Sequence, residues 1–381
     1  MIGIYVHIPF CARRCDYCDF FVQVGRDGEG RFFEQLARDL TESAARLPAA
    51  ARRADTIYFG GGTPSYVEPG RIASVIRLCG ELFELTPGIE ISLEANPESV
   101  EPARSSAWLE AGVNRLSLGV QSFADDVLRP RGRLHDAAQA ADASRAARSA
   151  GFRNLGIDLI AGLPGETPDS FARGIDSLIE LQPDHVSVYL LETAESGKHT
   201  SLSRSLADGR ERAPGEEAVI AMYEGGVRQL GQAGFEQYEI SNFARPARRS
   251  RHNLKYWTGA EYLGVGPSAH SLLDGRRIAR PAGLAEWVDW MDRARTEPAA
   301  GDLTLPGRDE RAREALILAL RLLEGVQLDA FAARWGYDPR RTRAAEIQSL
   351  IAAGLLGLSG ACLRLTPRGL LLSNEVFVRL S

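Results

Sequence analysis

The first two-thirds of the chain repeat one pattern, and this repetition limits the fold more than any other feature. A short run of β-branched and apolar residues is followed by a loop and then by an amphipathic helix. Alternating strands and helices predict a parallel sheet, either doubly wound or curled into a barrel. The predicted strands are Ile2–His7, Thr56–Phe59, Ile89–Glu94, Arg115–Val120, Leu155–Ile160 and Val186–Leu191. The clearest helices are Arg71–Leu85, Asp136–Ala150, Pro168–Leu181 (with Thr167 as N-cap) and Glu216–Ala233.

Polar residues at the strand ends favour the barrel. In a barrel the carboxyl ends of all strands surround one site, whereas a doubly wound sheet concentrates its ligand groups at one crevice. A polar or glycine-rich group lies at the end of each predicted strand or just after it, namely the Cys11 cluster, Gly60–Thr63, Glu94, Gln121, Asp158 and Glu192. We therefore predict an α/β fold with an incomplete six-stranded barrel, a partial (β/α)6 arrangement.

A chain of 381 residues is longer than one compact domain usually needs. We predict that residues 1–240 form the barrel and that residues 241–307 are a functional loop region and linker, with the linker at Pro298–Gly307. Residues 308–381 show three helical patterns, a short alternating strand and a closing apolar strand, which resembles a winged helix. We expect this last domain to be a helical cap or interaction domain.

Composition excludes several classes of function. The formal net charge of −5 argues against binding nucleic acid through bulk positive charge. No uncharged apolar run reaches the roughly 18 residues that a transmembrane segment needs. The first ten residues lack a basic stretch and a small-residue cleavage site, so we expect no signal peptide and a cytoplasmic protein.

The cysteines carry more information in their spacing than in their number. Cys11, Cys15 and Cys18 follow the first strand directly, and three thiolates in one loop fit a metal centre. Zinc would need a fourth ligand. A [4Fe–4S] cluster normally takes four cysteines, so three leave one iron open to a small molecule. An iron–sulfur cluster is the favoured interpretation, with zinc or a reactive thiol group as alternatives. Cys79 is predicted to be a core thiol and Cys362 an inward strand position.

Beyond these local patterns, the sequence resembles a known family. The segment Cys11–Cys18, with Tyr17 before the last cysteine, resembles the cluster motif of radical S-adenosylmethionine (SAM) proteins. The frame YVHIPFCARRCDYC resembles the subgroup that contains oxygen-independent coproporphyrinogen III dehydrogenase and a heme chaperone. The resemblance continues through GGGTP (60–64), LEANPES (93–99), GVQSF (119–123), GRLH (132–135), DLIAGLPGET (158–167), YEISNFA (238–244), SRHNLKYW (250–257) and GVGPSAHS (264–271).

This resemblance implies two cofactors in the barrel, a [4Fe–4S] cluster on the three cysteines and SAM on the open iron. It also implies that Arg133 and several carboxylates hold SAM, which suits charge-assisted hydrogen bonding to its carboxylate, ammonium and ribose hydroxyls. Taken singly, each of these residues could instead form an ordinary salt bridge at the barrel mouth. The implied SAM-contacting residues are Tyr5, Tyr17, Gly61, Gly62, Thr63, Glu94, Gln121, Arg133 and Asp158.

Within the subgroup, two departures favour the chaperone. The dehydrogenase has a further cysteine two residues after the third, where this chain has Phe20, and it has an N-terminal extension for which Met1–Cys11 leaves no room. The motif SRHNLKYW also points to the chaperone. Heme is then an implied ligand, with His252 as its candidate axial ligand and His270 as a second candidate. The alternative for His252 is a hydrogen-bonded residue of a folded core.

Three hypotheses follow. The first is a heme chaperone that binds heme and transfers it to acceptor proteins. The second is a coproporphyrinogen III dehydrogenase, and the third is a zinc-stabilised barrel without redox chemistry. The resemblance also implies heme-accepting apoproteins, a flavodoxin- or ferredoxin-type electron donor and a homodimer as partners. It leaves open whether the protein cleaves SAM in turnover.

Overall fold

The computed structural model describes residues 1–193, 197, 199–296 and 307–381. The strands are β1 Ile2–Ile8, β2 Phe10–Cys11, β3 Gln23–Val24, β4 Arg53–Gly61, β5 Glu84–Ala95, β6 Arg115–Gln121, β7 Leu155–Ala161, β8 His185–Leu190, β9 Glu236–Gln237, β10 Asn242–Ala244, β11 Tyr262–Val265, β12 His270–Leu273, β13 Arg276–Ala279, β14 Val326–Gln327, β15 Leu356–Ser359 and β16 Cys362–Leu365.

Helices lie between most of these strands. They are α1 Glu29–Arg46, α2 Pro69–Leu82, α3 Pro102–Glu110, α4 Asp125–Leu128, α5 Ala137–Ala150, α6 Pro168–Glu180, α7 Ser201–Ala207, α8 Glu216–Gln232, α9 Arg251–Thr258, α10 Leu284–Thr296, α11 Arg308–Leu320, α12 Leu328–Trp335, α13 Pro339–Thr342, α14 Ala344–Ala352, α15 Pro367–Leu371 and α16 Ser373–Leu380. Short 3₁₀ turns cover Ala49–Ala51, Pro64–Tyr66 and Pro97–Ser99. Among the described residues, no helix is long and apolar enough to cross a membrane.

The main sheet confirms the predicted partial barrel. Its strand order is β13-β12-β11-β1-β4-β5-β6-β7-β8-β10-β9, and the central run from β11 to β8 is parallel. The six strands predicted from the sequence are present in chain order from β1 to β8, whereas β10, β12 and β13 pair antiparallel at the two edges. Predicted helix signals are also confirmed, since the Thr167 hydroxyl accepts a hydrogen bond from the Ser170 amide at the start of α6.

Alternation along each strand separates two environments. In β1, Ile2, Ile4, Val6 and Ile8 are buried in the main hydrophobic core, together with side chains of α1. The intervening residues face the barrel interior, where Tyr5 stacks beside Tyr58 of β4. The outward residues therefore hold the helices, and the inward residues are free to build a polar site.

The region predicted as functional loop and linker, residues 241–307, is instead regular over much of its length. The run Tyr262–Val265 forms β11, which pairs parallel with β1, and Arg251–Thr258 forms α9 at the amino-terminal end of the barrel. The strand signal of β11 is weak because the strand has four residues, one of them glycine. The predicted linker lies outside the described residues apart from Gly307.

The C-terminal residues form a second hydrophobic core around α11, α12, α14, α16 and the antiparallel sheet β14-β16-β15. The predicted closing apolar strand is wrong, since that segment forms α15 and α16. Ser373, Val376 and Leu380 are buried at helical spacing. The inward position predicted for Cys362 is also wrong, because β16 buries Leu363 and Leu365 and leaves Cys362 half-buried.

Candidate functional site

The cysteine loop begins and ends in a short parallel pair of strands. Phe10 and Cys11 of β2 pair with Gln23 and Val24 of β3, and the Gly25 amide donates to the Cys11 carbonyl at 2.9 Å. Cys15 and Cys18 lie on the loop between these strands. The loop is therefore anchored at both ends at the carboxyl end of β1.

The three thiols lie close enough to affect one another's charge. Burial raises the pKa of Cys11 to about 11, and the neighbouring Cys15 and Cys18 raise it further, whereas the Thr63 hydroxyl lowers it. Burial also raises the pKa of Cys18. Thiolates are the soft donors that iron–sulfur clusters require. In the described part of the chain, no three His, Cys, Asp or Glu side chains converge tightly enough to hold a single metal ion.

A chain of polar contacts joins the cysteine loop to the neighbouring strands. The Cys11 thiol and the Thr63 hydroxyl share a hydrogen bond of 3.2 Å, and Asn96 Nδ2 donates to Thr63 Oγ1 at 3.2 Å. Arg133 donates to Asn96 Oδ1 at 2.9 Å, to the Gly119 carbonyl, and to Cys15 Sγ at 3.7 Å. Sequence reasoning did not single out Asn96, although it lies in the LEANPES motif two residues after Glu94.

Glycines 60–62 leave space where the loop approaches β1. A Cβ on Gly62 would lie 2.6 Å from the Pro9 carbonyl oxygen. A Cβ on Gly61, whose φ is +112°, would lie 2.6–2.8 Å from the His7 ring. A Cβ on Gly60 would approach Glu94 Oε2 to 3.1 Å. The triplet thus lets backbone and carboxylate line one cradle beside the cysteine loop.

Glu94 is the most perturbed carboxylate in this cradle. Burial raises its pKa to about 7, and the Asp158 charge raises it as well, whereas hydrogen bonds from the Tyr58 hydroxyl and the Gly61 backbone lower it. Tyr58 Oη donates to Glu94 Oε1 at 2.7 Å. Tyr58 was not identified from the sequence; its position two residues before the glycine triplet was the available signal.

The remaining predicted SAM residues share the same face. Burial raises the pKa of Asp158, whose two oxygens accept from Ser117 Oγ at 3.2 and 3.0 Å. Gln121 ends β6 with φ +71°, at a register shift that turns the strand. The pKa of Tyr17 is raised by burial, and its hydroxyl hydrogen-bonds Cys15. The structure therefore brings the three cysteines and the predicted residues other than Tyr5 to the carboxyl end of the barrel, whereas Tyr5 lies deeper in the interior, 6.4 Å from the His252 ring.

The structure places His252, the candidate axial ligand, in a buried position. His252 lies on α9 at the opposite, amino-terminal end of the barrel and is 0% exposed. Its Nδ1 hydrogen-bonds Thr56 Oγ1 at 2.8 Å and its Nε2 hydrogen-bonds Tyr256 Oη at 2.9 Å. Burial lowers its pKa to about 3. Both ring nitrogens take part in hydrogen bonds, which favours the alternative in which His252 is a hydrogen-bonded residue of the folded core. His270, at the start of β12, is exposed.

The barrel with three cysteines after its first strand defines the class as radical SAM. The Radical SAM superfamily matches residues 5–178, and the HemN C-terminal domain matches residues 307–372. Proteins of this superfamily hold a [4Fe–4S] cluster and SAM. A solved structure of Escherichia coli coproporphyrinogen III oxidase (HemN), a radical SAM enzyme, has a TM-score of 0.84 at 24% identity and covers 100% of this chain and 89% of that one. This likeness shows the fold.

Sequence relatives give the family. The chain is 38% identical over 381 residues to the heme chaperone HemW of Mycobacterium tuberculosis (strain H37Rv), covering 98% of this chain and 93% of the relative. It is 32% identical over 388 residues to HemW of Bacillus subtilis, covering 99% and 98%. A bovine mitochondrial relative, radical S-adenosyl methionine domain-containing protein 1, is 35% identical over 379 residues, and the match covers 100% of this chain and 84% of the relative. The chain belongs to the HemW family, as its motifs predicted.

Proposed function

We propose that this protein is a heme chaperone that binds heme and passes it to acceptor proteins, with a [4Fe–4S] cluster and SAM at the barrel mouth. The observation that carries this proposal is the near full-length similarity to HemW heme chaperones. The dehydrogenase shares the fold, but at 24% identity the likeness supports only the fold. Phe20, where the dehydrogenase would have its further cysteine, supports the same choice.

The donor set fits the two cofactors. Cys11, Cys15 and Cys18 would hold the cluster, and the cradle of Gly61, Gly62 and Thr63 would take the methionyl end of SAM. A reduced cluster held there would supply an electron for reductive cleavage of the SAM sulfonium. Arg133 lies beside Cys15 and would pair with the SAM carboxylate. These residues orient a charged cofactor beside the cysteine loop.

Because His252 is buried and hydrogen-bonded at both ring nitrogens, the barrel mouth is the better position for heme. Four large side chains on the carboxyl-terminal side of the barrel are exposed: Phe20 (65%), Val24 (57%), Leu134 (46%) and Tyr189 (41%). Leu134 follows Arg133, and Phe20 lies two residues after Cys18. Exposed aromatic and aliphatic side chains suit the face of a porphyrin. We propose that heme lies against this face, near the cluster.

The cluster is tested by anaerobic reconstitution followed by iron and sulfide analysis. Wild type should gain close to four irons per chain, and Cys15→Ala should lose them. Cys79→Ala is the matched control because Cys79 is fully buried in α2, away from the loop. A colourless wild type, or zinc in place of iron, would contradict the cluster assignment.

The heme assignment is tested by titrating the holoprotein with hemin and following the Soret band. We expect binding in wild type and in His252→Ala, and weaker binding in Phe20→Asp, which places a charge on the apolar face. Loss of binding in His252→Ala alone, with Phe20→Asp unaffected, would contradict the proposed position.

The choice between chaperone and dehydrogenase is tested by incubation with SAM, reductant and coproporphyrinogen III. We expect no protoporphyrinogen, and clear turnover would favour the dehydrogenase. The acceptor protein, the electron donor, the homodimer and the cytoplasmic location stay predictions from the sequence.

A further inference from the structure

Residues 250–259, here called the barrel plug, close the amino-terminal end of the barrel. The plug contains α9, whose first amides donate to the Glu90 carboxylate of β5, from Arg251 N at 3.2 Å and from His252 N at 3.0 Å. Ser250 caps the helix by accepting from the Asn253 amide. A carboxylate at a helix N-terminus is a stabilising arrangement. The start of the plug is thus fixed to the strand that also carries Glu94.

The C-terminal domain holds the other end of the plug. Arg334 of α12 donates to the carbonyls of Thr258 and Gly259, each at 2.8 Å. The Arg321 guanidinium lies 4.3 Å from the ring centroid of Trp257, within the range of a cation–π contact. Orphan carbonyls at a helix C-terminus need such partners. The plug is therefore held from both sides, by the barrel and by the C-terminal domain.

Inside the barrel, the plug presents His252 to Tyr58. The two rings stack with centroids 5.1 Å apart and planes 28° apart. Hydrogen bonds to Thr56 and Tyr256 fix the orientation of the imidazole. Gly3 permits this insertion, because a Cβ there would lie 2.8 Å from Thr56 Oγ1 and 3.0 Å from the imidazole.

Tyr58 connects the plug to the predicted SAM site. Its ring packs against both His252 and Tyr5, and the three rings form a triangle in which the Tyr5 centroid lies 6.1 Å from Tyr58 and 6.4 Å from His252. The Tyr58 hydroxyl donates to Glu94 Oε1 at 2.7 Å. Two stacked neighbours restrict the rotation of the Tyr58 ring. The position of the Tyr58 hydroxyl consequently depends on the His252 imidazole. The orientation of the Glu94 carboxylate, which accepts from that hydroxyl, depends on it as well.

We propose that His252 is a positioning residue for SAM: it holds Tyr58 in place, and Tyr58 orients the Glu94 carboxylate at the barrel mouth. The inference rests on the proposed function, since it takes Glu94 as a group that binds SAM. It gives the SRHNLKYW motif a role at the SAM site, through the interior of the barrel.

The charges around Glu94 provide a signature of this arrangement. The carboxylate is faced by Tyr58 of β4, by Asp158 of β7, and by Tyr5 of β1 and Tyr189 of β8. The pKa values of Tyr5 and Tyr189 are raised mainly by burial and further by the Glu94 charge. Burial and Asp158 raise the pKa of Glu94 to about 7, and the Tyr58 hydrogen bond opposes that rise. Losing this hydrogen bond should therefore raise the pKa of Glu94 further.

The experiment measures SAM affinity by equilibrium dialysis on the reconstituted holoprotein over a pH range that spans neutrality. In wild type, affinity should increase with pH as Glu94 ionises. In Tyr58→Phe and His252→Ala the midpoint should move to higher pH, with binding about three- to tenfold weaker near neutrality, since one pKa unit is a tenfold effect. His252→Phe keeps a ring against Tyr58, so its pH midpoint for SAM binding should lie close to the wild-type midpoint.

Tyr223→Phe is the matched control, because it removes a buried hydroxyl that donates to the Ile240 carbonyl, away from Glu94. It should leave the midpoint unchanged. A midpoint that stays at the wild-type value in both Tyr58→Phe and His252→Ala overturns the inference. A general loss of folded protein would lower the amount of bound SAM without moving the midpoint.

A second readout separates this inference from the proposed function. Infrared titration of the cofactor-free full chain follows the protonated carboxyl band, which Glu94→Gln assigns. If wild type binds no SAM, the proposed function fails. An infrared midpoint raised in Tyr58→Phe and His252→Ala still supports the positioning contact, and an unchanged one overturns it.

Discussion

The substitution Gly61→Ala tests how closely the cysteine loop and the glycine cradle are packed. The φ of +112° is strained for any residue with a Cβ, at a cost of about 1–2 kcal/mol. The new methyl group would also lie 2.6 Å from His7 Cε1 and 2.7 Å from Nε2, and overpacking of this kind costs about 1–3 kcal/mol. We therefore expect Gly61→Ala to lower the free energy of unfolding by about 2–5 kcal/mol.

The clash should also reach the cysteine loop. Burial lowers the pKa of His7 to about 4, so its ring is neutral, and Nε2 donates to the Phe21 carbonyl at 3.1 Å. Displacing the ring breaks this contact, which joins the loop to β1. We expect Gly61→Ala to retain less iron after anaerobic reconstitution than wild type does.

Gly88→Ala is the matched control for backbone strain. Gly88 has φ +70°, and a methyl group added there would have nothing within 4 Å, so its substitution should cost only the strain, about 1–2 kcal/mol. The free energies of unfolding of both variants are measured by urea unfolding of the cofactor-free proteins, with circular dichroism as the signal. In a double-mutant cycle, His7→Ala should relieve the clash and couple favourably with Gly61→Ala. The reasoning would be refuted if Gly61→Ala and Gly88→Ala lowered the free energy of unfolding equally and Gly61→Ala showed no coupling energy with His7→Ala.

Two further predictions concern stability. Burial raises the pKa of Glu166 from 4.5 to about 7, so the folded state keeps a proton that the unfolded chain has released, and the free energy of unfolding should fall by about 3 kcal/mol as pH rises through that window. Glu166→Gln should flatten this fall in urea titrations at several pH values, and an unchanged slope would contradict the assignment. The buried Asp39 carboxylate accepts two hydrogen bonds from Arg280, both at 2.8 Å, so Arg280→Met should cost about 3–5 kcal/mol. The exposed pair of Arg145 and Asp142 is its control: Arg145→Met should change the unfolding midpoint little, and similar effects of the two variants would contradict the distinction.

The barrel and the cysteine loop could be predicted from the sequence because their signals are local. Each of the six predicted strands is a mostly apolar run of at least four residues, and the three cysteines fall within a span of eight residues. β11 has only four residues, and its position in the sheet depends on pairing with β1, 259 residues earlier. The sequence around residues 262–265 does not indicate that β1 is its pairing partner.

The position of His252 shows a second limit. A histidine among aromatic residues suits a heme ligand and a packed core equally well by residue type. The distinction depends on Thr56 and Tyr256 occupying both ring nitrogens, and on Gly3 making room for the imidazole. Likewise, Tyr58 and Asn96 acquire their contacts only when strands from different parts of the chain lie side by side.

The parallel pairing of β1 with β11 also has a consequence for synthesis. β1 is synthesised well before one of its two neighbours, because β11 is made only when translation reaches residues 262–265. Contacts this distant in the chain form late, because a long loop must close first. The strand that precedes Cys11 thus gains both of its neighbours only after Val265 has emerged, and we expect iron to be inserted after that point.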